Sequence, residues 1–400
     1  MRAETRPRAF NALPAPADTA PDRRGLARSS RAALLGLVVA LLSLLGLMMV
    51  LSASSVEALR SYGGAWMFFR RQLVWVALGA VALVVSARVD YHRWRRLCRP
   101  ALVVCVVLLA AVLVPGIGSA VGGSRRWLGR GPIGVQPSEL AKLVLLLFAA
   151  DLLARRADRV SERGAIVPPL LIVTGTLALL IMLEPDMGTA IVLTFIALTV
   201  VFVGGVPVLR MAALLLGTAS VGAVVGMLEG YRRARLFSFL DPWADAGNTG
   251  YQVAQSLVAL GSGHLTGVGL GASRAKWGFL PNAHTDFIFA IIGEELGLLG
   301  TLLVLALFVA FTVLGIGAAV RAPDRFGSLV AAGVTAWVAG QALINMGAVT
   351  GRLPVTGVPL PFVSFGGSAL VVTMAAVGIL INVARKGSDV PAPAERSDRG

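Results

Sequence analysis

Asp286, Glu294 and Glu295 are three carboxylates that lie within ten residues of one another where an apolar segment begins. A single acid at a helix N-terminus is ordinarily explained by its favourable interaction with the helix dipole. Acids within a membrane segment, in contrast, usually line a water-filled cavity and take part in function. Because the three occur together, we favour the second explanation and take Asp286 as the leading candidate.

Glu139 and Lys142 form a second candidate pair at the start of another apolar segment. Residues 136–142 read Gln-Pro-Ser-Glu-Leu-Ala-Lys, with a proline suited to the first helical turn. The acid and the lysine are one helical turn apart on one face. They are compatible with an ion pair that holds the helix end, and equally with a lysine that faces a cavity and meets a phosphate. The sequence leaves both interpretations open.

A long polar stretch from Gly230 to Asp286 separates two apolar segments. Bundle helices are usually joined by about 2–8 residues, and longer loops are generally functional or disordered. This stretch contains a turn at residues 241–243, a short apolar helix after Gly250 and a glycine-rich turn at residues 267–271. It predicts a folded cap with a re-entrant or interfacial helix. The glycine-rich turn is not a nucleotide site, because neither a preceding strand nor a following Gly-Lys-Ser/Thr is present.

Two further polar segments complete the candidates. Residues 184–186, Glu-Pro-Asp, break the chain between two apolar segments, and turn chemistry alone explains them. Residues 359–368, which include Ser364 and Ser368, are either a loop and a helix start or part of the same site. A Ser/His/Asp triad is not credible with only three histidines in the chain.

Membrane-spanning helices are the elements that must position these residues. The chain is 56% hydrophobic and 14% charged, whereas soluble proteins carry about 25% charged residues. Several apolar runs approach the roughly 20 residues that cross a bilayer as a helix. The sequence therefore predicts an all-α polytopic integral membrane protein of about ten transmembrane helices, with a large external loop between spans seven and eight. The spans lie near residues 32–52, 72–88, 100–115, 138–154, 166–183, 188–206, 210–228, 286–318, 328–349 and 366–384.

Arginine clusters in the short loops predict the orientation, because Lys and Arg concentrate on the cytoplasmic side. Such clusters follow spans two, four and eight, so both termini are predicted to be cytoplasmic and the long loop external. The external loops are also basic, which fits either an arginine-rich composition or an anionic, phosphate-bearing ligand. Their basic residues are Arg125, Arg126, Arg130, Arg232, Arg233, Arg235, Arg274, Lys276 and Arg352.

Net charge and cysteine content argue against several classes of ligand. The formal charge of +15 suits anionic lipid headgroups better than nucleic acid, because no basic stripe lies on a soluble domain. Cys98 and Cys105 indicate neither a disulfide framework nor a zinc site. Residues 1–31 and 386–400 are predicted to be disordered cytoplasmic tails of a membrane domain at 32–385, whose large external loop is 229–285.

Four ordered motifs resemble the SEDS family (shape, elongation, division and sporulation). They are residues 136–142, residues 280–289 (Leu-Pro-Asn-Ala-His-Thr-Asp-Phe-Ile-Phe), residues 293–297 (Gly-Glu-Glu-Leu-Gly) and residues 361–368 (Pro-Phe-Val-Ser-Phe-Gly-Gly-Ser). The resemblance covers roughly residues 32–385. Residues 276–280 and the serine-rich residues 52–55 resemble the division branch of the family more than its elongation branch.

The resemblance implies a peptidoglycan glycosyltransferase in the bacterial cytoplasmic membrane. Such an enzyme polymerises lipid II, an undecaprenyl-pyrophosphate-linked disaccharide-peptide, at the outer face with inversion, here for septal wall synthesis in division. The implied partners are a class B penicillin-binding protein, which is the transpeptidase, other cell-division proteins and membrane lipids, with no nucleic acid. Two residues depart from the family pattern. Asn282 stands where glutamate is common in the family, and Glu184 stands where glutamine is common.

The family motifs also assign roles to individual residues. The essential aspartate falls on Asp286, which the implied reaction uses as the general base on the acceptor hydroxyl. Lys142, Lys276 and Arg126 would offset the charge of the leaving pyrophosphate, with or without a divalent cation such as Mg or Mn. No organic cofactor is implied. The remaining candidates for substrate binding are Glu139, His284, Ser364 and Ser368.

Three other functions are compatible with these residues. A lipid II flippase or other transporter also places charged groups inside a helix bundle. A scaffold would recruit the transpeptidase without catalysis, and an elongation-type polymerase would share the four motifs. Against a transporter, the charged and turn residues concentrate on the external half, and no inverted repeat is evident in the sequence.

Overall fold

Eleven α-helices and one short β-hairpin make up the described part of the chain. A computed structural model describes residues 23–121, 124–129, 134–159, 166–228 and 238–387. The helices are α1 (Arg23–Tyr62), α2 (Met67–Arg88), α3 (Tyr91–Leu113), α4 (Pro137–Arg155), α5 (Val167–Leu183), α6 (Met187–Val203), α7 (Val208–Leu228), α8 (Tyr251–Ser262), α9 (Ile288–Val320), α10 (Arg325–Val349) and α11 (Gly367–Lys386). The hairpin pairs β1 (Gly118–Val121) with β2 (Ser124–Leu128), and 3₁₀ turns occupy Ala157–Arg159 and Ala275–Trp277.

Each of the ten predicted spans coincides with a helix, so the all-α polytopic prediction is confirmed. By length and composition, six helices can cross a membrane, namely α1, α2, α3, α9, α10 and α11. Helices α5 and α6 are apolar but only 17 residues long. Helix α4 is less apolar because it carries the charged residues Glu139, Lys142 and Asp151. The eleventh helix, α8, is the short helix predicted within the long loop.

Several helix boundaries differ from the predicted ones. Helix α1 runs from Arg23 to Tyr62 and so begins inside the predicted tail, and α3 begins at Tyr91. The early start of α3 has a local cause, because the Asp90 side chain accepts a hydrogen bond from the backbone N–H of His92 and caps the helix. The rest of the predicted tails, at 1–22 and 388–400, lies outside the described residues, as do Arg130, Arg232, Arg233 and Arg235.

Helices α4, α10 and α11 form the centre of the bundle. Helix α4 is buried on almost every face, and α10 packs against both α4 and α9. Helix α11 lies along α2, where a Cβ on Gly378 would overlap with the carbonyl oxygen of Leu83. Helix α7 is peripheral and packs on α6. Polar side chains on the central helices therefore contact protein rather than lipid.

The loops fall on two sides of the bundle. One side carries the hairpin and the segment 238–287, which we name the cap. The cap is joined to the segment before α11 by a hydrogen bond of 2.6 Å from Ser364 Oγ to the carbonyl oxygen of Thr285. On the opposite side, the side chains of Asp90 and Lys386 pair and join the α2–α3 turn to the end of α11.

Helix α9 is broken near one end. Gly297 has φ 67° and ψ −161°, a conformation that interrupts the helix and favours glycine. The part before the break, from Ile288 to Glu295, is buried throughout, whereas the part after it exposes leucines. The break therefore separates a protein-covered segment beside the cap from a segment that faces lipid.

Candidate functional site

Asp286 lies on the cap side, two residues before the first turn of α9. Its side chain is partly exposed and lines a small pocket together with Asn345 and residues 355–358. Its own backbone carbonyl accepts a hydrogen bond of 2.7 Å from the side chain of Asn345. This carboxylate lies at the mouth of a pocket, and the hydrogen bond from Asn345 fixes its backbone. It is therefore suited to accept a proton from a bound hydroxyl.

Asn345, on α10, holds two walls of this pocket together. Its Nδ2 donates to the carbonyl oxygens of Asp286 and of Val358, at 2.7 and 2.8 Å. Because both partners are acceptors, the amide nitrogen must face them. The Oδ1 atom is buried and has no hydrogen-bond partner among the described residues. We did not predict this residue, because a single asparagine in an apolar helix shows no pattern in the sequence.

Ser364 and Phe365 hold the chain just before Asp286 from a second direction. Ser364 Oγ donates to the carbonyl oxygen of Thr285 and accepts the backbone N–H of Leu360, at 2.6 and 2.8 Å. The N–H of Phe365 donates to the carbonyl oxygen of His284 at 3.0 Å. The second and fourth sequence motifs, residues 280–289 and 361–368, therefore meet beside Asp286.

His284 is buried between two aromatic rings. Its ring centroid lies 4.8 Å from that of Phe68 and 5.7 Å from that of Phe365. Its Nδ1 lies 3.3 Å from a carboxylate oxygen of Glu57, which extends from α1. The imidazole is therefore in a position to orient the 284–286 segment. Its predicted role in substrate binding stays a prediction.

Glu139 and Lys142 form a buried ion pair, with 2.7 Å between the carboxylate and the ammonium nitrogen. Lys142 is 1% exposed. Its Nζ also donates to Gln341 Oε1 at 3.3 Å and lies 5.2 Å from the centre of the Trp337 ring. Of the two interpretations that the sequence left open, the ion pair is therefore present. Substrate contact by either residue stays a prediction.

Gln341 connects this ion pair to a second pocket. Its Nε2 donates to the carbonyl oxygen of Pro359 at 2.9 Å, while its Oε1 accepts from Trp337 and Lys142. This small pocket is lined by Gln341, residues 359–362 and Ser364. Lys142 thus helps to orient Gln341, which in turn holds the pocket wall at Pro359.

Lys276 belongs to a separate buried cluster that is centred on Glu295. Its Nζ lies 3.3 Å from Glu295 Oε1 and donates to the hydroxyl of Ser52 and the carbonyl oxygen of Gly271. Glu295 is 0% exposed and also accepts from Ser52 Oγ at 2.7 Å. The cluster ties the cap to both α1 and α9.

The carboxylate of Glu294 holds the same part of the cap by accepting hydrogen bonds from three consecutive residues. It accepts hydrogen bonds from Ser273 Oγ at 2.5 Å, from the N–H of Arg274 at 2.8 Å and from the N–H of Ala275 at 3.3 Å. The expectation that Glu294 and Glu295 line a water-filled cavity is therefore wrong. They are buried because the cap supplies the donors that water would otherwise provide.

Arg126 extends from the hairpin to a second acidic cluster at the α5–α6 connection. Its guanidinium lies 3.7 Å from Asp186, which also accepts from Gln136 Nε2 at 2.8 Å. Asp186 caps α6 by accepting the N–H of Thr189. Ser368 contributes at the same place, because its Oγ accepts the N–H of Gln136 at 3.2 Å.

Glu184 is fully buried beside this cluster. Burial, together with the nearby negative charge of Asp186, raises its pKa to about 8, while Arg126 opposes the shift. Neither carboxylate oxygen has a hydrogen-bond partner among the described residues. Turn chemistry explains Asp186, which caps a helix, but it does not explain a buried acid at position 184.

Within the described ranges, no group of three His, Cys, Asp or Glu side chains comes together with a geometry that could hold a metal ion. Cys98 and Cys105 are buried free thiols.

Fold and site together define a multi-pass helical membrane protein with a pocket-lining carboxylate in a cap on one side of the bundle. The family model for FtsW, RodA and SpoVE, described as cell cycle protein, matches residues 32–389. The chain therefore belongs to this family, which confirms the SEDS resemblance.

Similar proteins of known name cover most of the chain. Stage V sporulation protein E of Bacillus subtilis (strain 168) is 42% identical over 88% of this chain and 96% of that protein. The probable peptidoglycan glycosyltransferase FtsW of Thioalkalivibrio sulfidiphilus is 44% identical over 88% of this chain and 89% of that protein. The probable peptidoglycan glycosyltransferase FtsW of Geobacter metallireducens is 38% identical over 89% of this chain and 95% of that protein.

Two solved structures have the same fold. One is a chain of a peptidoglycan synthase complex studied for the structural coordination of polymerization and crosslinking, with a TM-score of 0.71 and 29% identity over 88% of this chain and 97% of that chain. The other is the rod shape determining protein RodA of Thermus thermophilus. Its TM-score is 0.66, with 28% identity over 88% of this chain and 95% of that chain.

Proposed function

We propose that this chain is a peptidoglycan glycosyltransferase that polymerises lipid II for septal wall synthesis, with its site facing the outer side of the cytoplasmic membrane. The observation that carries the proposal is Asp286, a partly exposed carboxylate in a pocket at the start of a helix. Asn345 fixes its peptide from one side and Ser364 fixes the preceding peptide from another. The names of the similar proteins support the same activity.

In the proposed reaction Asp286 is the general base. The acceptor sugar hydroxyl gives its proton to the carboxylate, and its oxygen forms a bond to the anomeric carbon of the donor. The bond from that carbon to the pyrophosphate oxygen breaks, and undecaprenyl pyrophosphate leaves with the electron pair, which inverts the anomeric centre. A positioned base of this kind contributes roughly 10²–10⁴-fold to the rate.

The leaving pyrophosphate needs positive charge beside it. Arg126 is the better placed of the predicted cations, because a third of its side chain is exposed, whereas Lys142 and Lys276 are buried in ion pairs. We therefore assign Arg126 to the pyrophosphate and assign the two lysines to holding the pocket wall and the cap. A divalent cation, if the reaction uses one, would arrive with the pyrophosphate, and no step above depends on it.

A class B penicillin-binding protein is the proposed partner, together with other cell-division proteins and membrane lipids. The similarity to a chain of a peptidoglycan synthase complex supports a partner of this kind. Both chain termini are proposed to be cytoplasmic, which follows from the arginine clusters in the loops on the side opposite the cap.

Reconstitution with lipid II tests the function. The full chain, with a cognate class B penicillin-binding protein whose catalytic serine is disabled, is placed in vesicles that carry lipid II. We expect glycan chains that require this chain and not the transpeptidase serine. Transbilayer movement of lipid II without polymer would instead assign a transporter. The absence of both would leave the protein as a scaffold and would overturn the proposal.

A further inference from the structure

The break in α9 marks the depth at which this helix enters the hydrocarbon. Before it, Ile288 to Glu295 are covered by protein on all sides. After it, Leu298, Leu299, Leu302 and Leu303 are exposed. At 1.5 Å per residue, the stretch from residue 298 to residue 320 spans roughly 35 Å, which suffices for the roughly 30 Å core of a bilayer. Gly297 therefore lies near the boundary between the hydrocarbon and the cap.

The loop that follows α8, residues 263–272, which we name the cap tip, is seated in this break. The backbone N–H groups of Leu298 and Leu299 donate to the carbonyl oxygens of His264 and Leu265, at 2.9 and 3.2 Å. In return, Val268 donates to the carbonyl oxygen of Glu294 at 2.9 Å. Gly269 likewise donates to the carbonyl oxygen of Glu295 at 3.1 Å.

These bonds replace the helical hydrogen bonds that the break removes. Water can satisfy such groups on an aqueous surface, but in lipid they must be paired within the protein. Glycine makes the close approach possible, because a Cβ on Gly297 would overlap with the backbone of Gly267, and the reverse substitution would overlap with Glu295. The cap tip and the broken helix thus satisfy one another without water.

The cap tip exposes three large apolar side chains, together with the polar side chains of His264 and Thr266. Leu265 is 65% exposed, Leu270 57% and Val268 45%. They continue the exposed apolar surface of Leu298 and Leu299, to which the tip is hydrogen-bonded. Residues 251–273 contain no Asp, Glu, Lys or Arg. Apolar surface of this kind on a membrane protein is expected where lipid covers it.

Residues suited to lipid headgroups follow the tip along the chain. Trp277 and Phe279 are exposed, and Arg274 beside them is exposed as well. Arg60, from the end of α1, donates to the carbonyl oxygen of Trp277 at 3.2 Å and lies 5.9 Å from the centre of its ring. Tryptophan prefers the membrane interface, and basic side chains there attract lipid phosphates.

We propose that the cap tip is inserted into the bilayer leaflet on the Asp286 side. Leu265, Val268 and Leu270 lie among the acyl chains, while Arg60 and Trp277 lie at the level of the phosphates. Phospholipid is the occupant because the tip surface is continuous with the lipid-facing surface of α9. The insertion fixes the cap at a defined depth and does not depend on the enzymatic activity proposed above.

Site-specific fluorescence in vesicles tests this proposal with the full-length chain. Leu265→Cys is labelled with an environment-sensitive dye and reconstituted in phosphatidylethanolamine and phosphatidylglycerol. Leu299→Cys is the lipid-facing reference and Gly247→Cys, at an exposed and uncrowded position of the cap, is the aqueous reference. Cys98 and Cys105 are buried, and the unsubstituted protein controls for their labelling.

We expect lipids brominated on the acyl chain to quench the dye at position 265 as strongly as at position 299, and aqueous iodide to quench only position 247. Iodide quenching at 265 equal to that at 247 would overturn the proposal. Shielding of position 265 from both quenchers would also overturn it, because a protein surface would then cover the tip. If the labelled variant does not fold, a diazirine phospholipid added to the unsubstituted chain must form adducts within residues 263–272, and their absence would contradict insertion.

Discussion

Two buried lysine–glutamate pairs lie on the same half of the molecule but differ in what they join. Glu139 and Lys142 belong to one helix and are three residues apart. Lys276 and Glu295 are separated by nineteen residues and join the cap to α9. In the first pair, Lys142 also donates a hydrogen bond to Gln341, which lines a pocket. The second also reaches α1 through Ser52.

The two pairs contribute differently to the stability of the protein. A buried ion pair contributes little net stability, because desolvation offsets its attraction, but removing one partner is costly. The local pair lies within α4, and its loss removes a single hydrogen bond to α10, from Lys142 to Gln341. Loss of the long-range pair removes one of the links between the cap, on which Asp286 is carried, and helices α1 and α9. Variants of the two pairs should therefore differ in stability as well as in activity.

The largest effect is expected for Lys276→Met. It leaves the fully buried Glu295 without a cation, near the end of the helical segment that stops at Gly297, where the dipole disfavours negative charge. We expect a loss of about 3–5 kcal/mol in the free energy of unfolding. Thermal denaturation in detergent measures it. The double variant Lys276→Met/Glu295→Gln should recover most of the loss, and a single variant as stable as the unsubstituted protein would contradict the role of this pair.

A smaller loss is expected for Lys142→Met. Glu139 lies in the first turn of α4, where the helix dipole partly compensates its charge, so the cost should be lower by about 1 kcal/mol than for Lys276→Met. Denaturation of both variants in the same detergent compares them. Glu139→Gln/Lys142→Met is the matched control and should be as stable as the unsubstituted protein. It should nevertheless polymerise lipid II slowly, because Gln341 Oε1 then keeps Trp337 but has lost the hydrogen bond from Lys142. Equal losses for the two single variants would show that the helix dipole does not compensate the charge of Glu139.

Glu184 is a buried acid without a lysine, and it extends the comparison to pH. Its pKa is raised from the ordinary 4.5 to about 8, so the folded state favours the protonated form. This contribution to stability is complete below pH 4.5 and is lost as the pH rises through about 8. Glu184→Gln should remove this pH dependence of stability. The melting temperature of the variant should therefore exceed that of the unsubstituted protein by a margin that grows from about pH 6 to about pH 9. A constant difference over that range would show that Glu184 is charged throughout.

The smallest effect is expected for Ser52→Ala. It removes a hydroxyl that donates to Glu295, while Lys276 stays as the partner of that carboxylate. We expect a loss of about 1.5 kcal/mol, measured by the same denaturation. Ser55→Ala is the control, because that hydroxyl donates to a backbone carbonyl of its own helix. A loss as large as that of Lys276→Met would mean that the serine, rather than the ion pair, holds the cap.

Hydropathy and local spacing predicted the ten spans, the short helix in the cap and the Glu139–Lys142 pair. Each of these depends on residues that are near in sequence. The break at Gly297 was not predictable in this way, because it requires the cap tip to supply its hydrogen bonds. Asn345 and Glu57 were missed for the same reason, since their partners lie far away along the chain. Glu294 and Glu295 were expected to line a water-filled cavity, whereas the folded cap buries them, and its contacts also come from residues far along the chain.

We propose Asp286 as the general base of a glycan polymerase. Lipid II polymerisation by the purified complex with Asp286→Asn tests this role, with Asp241→Asn as a matched change of an exposed cap acid. We expect Asp286→Asn to bind its partner and to melt like the unsubstituted protein, while the rate falls at least about 100-fold, and Asp241→Asn to polymerise normally. Polymerisation at the unsubstituted rate by a folded, partner-bound Asp286→Asn would contradict the claim.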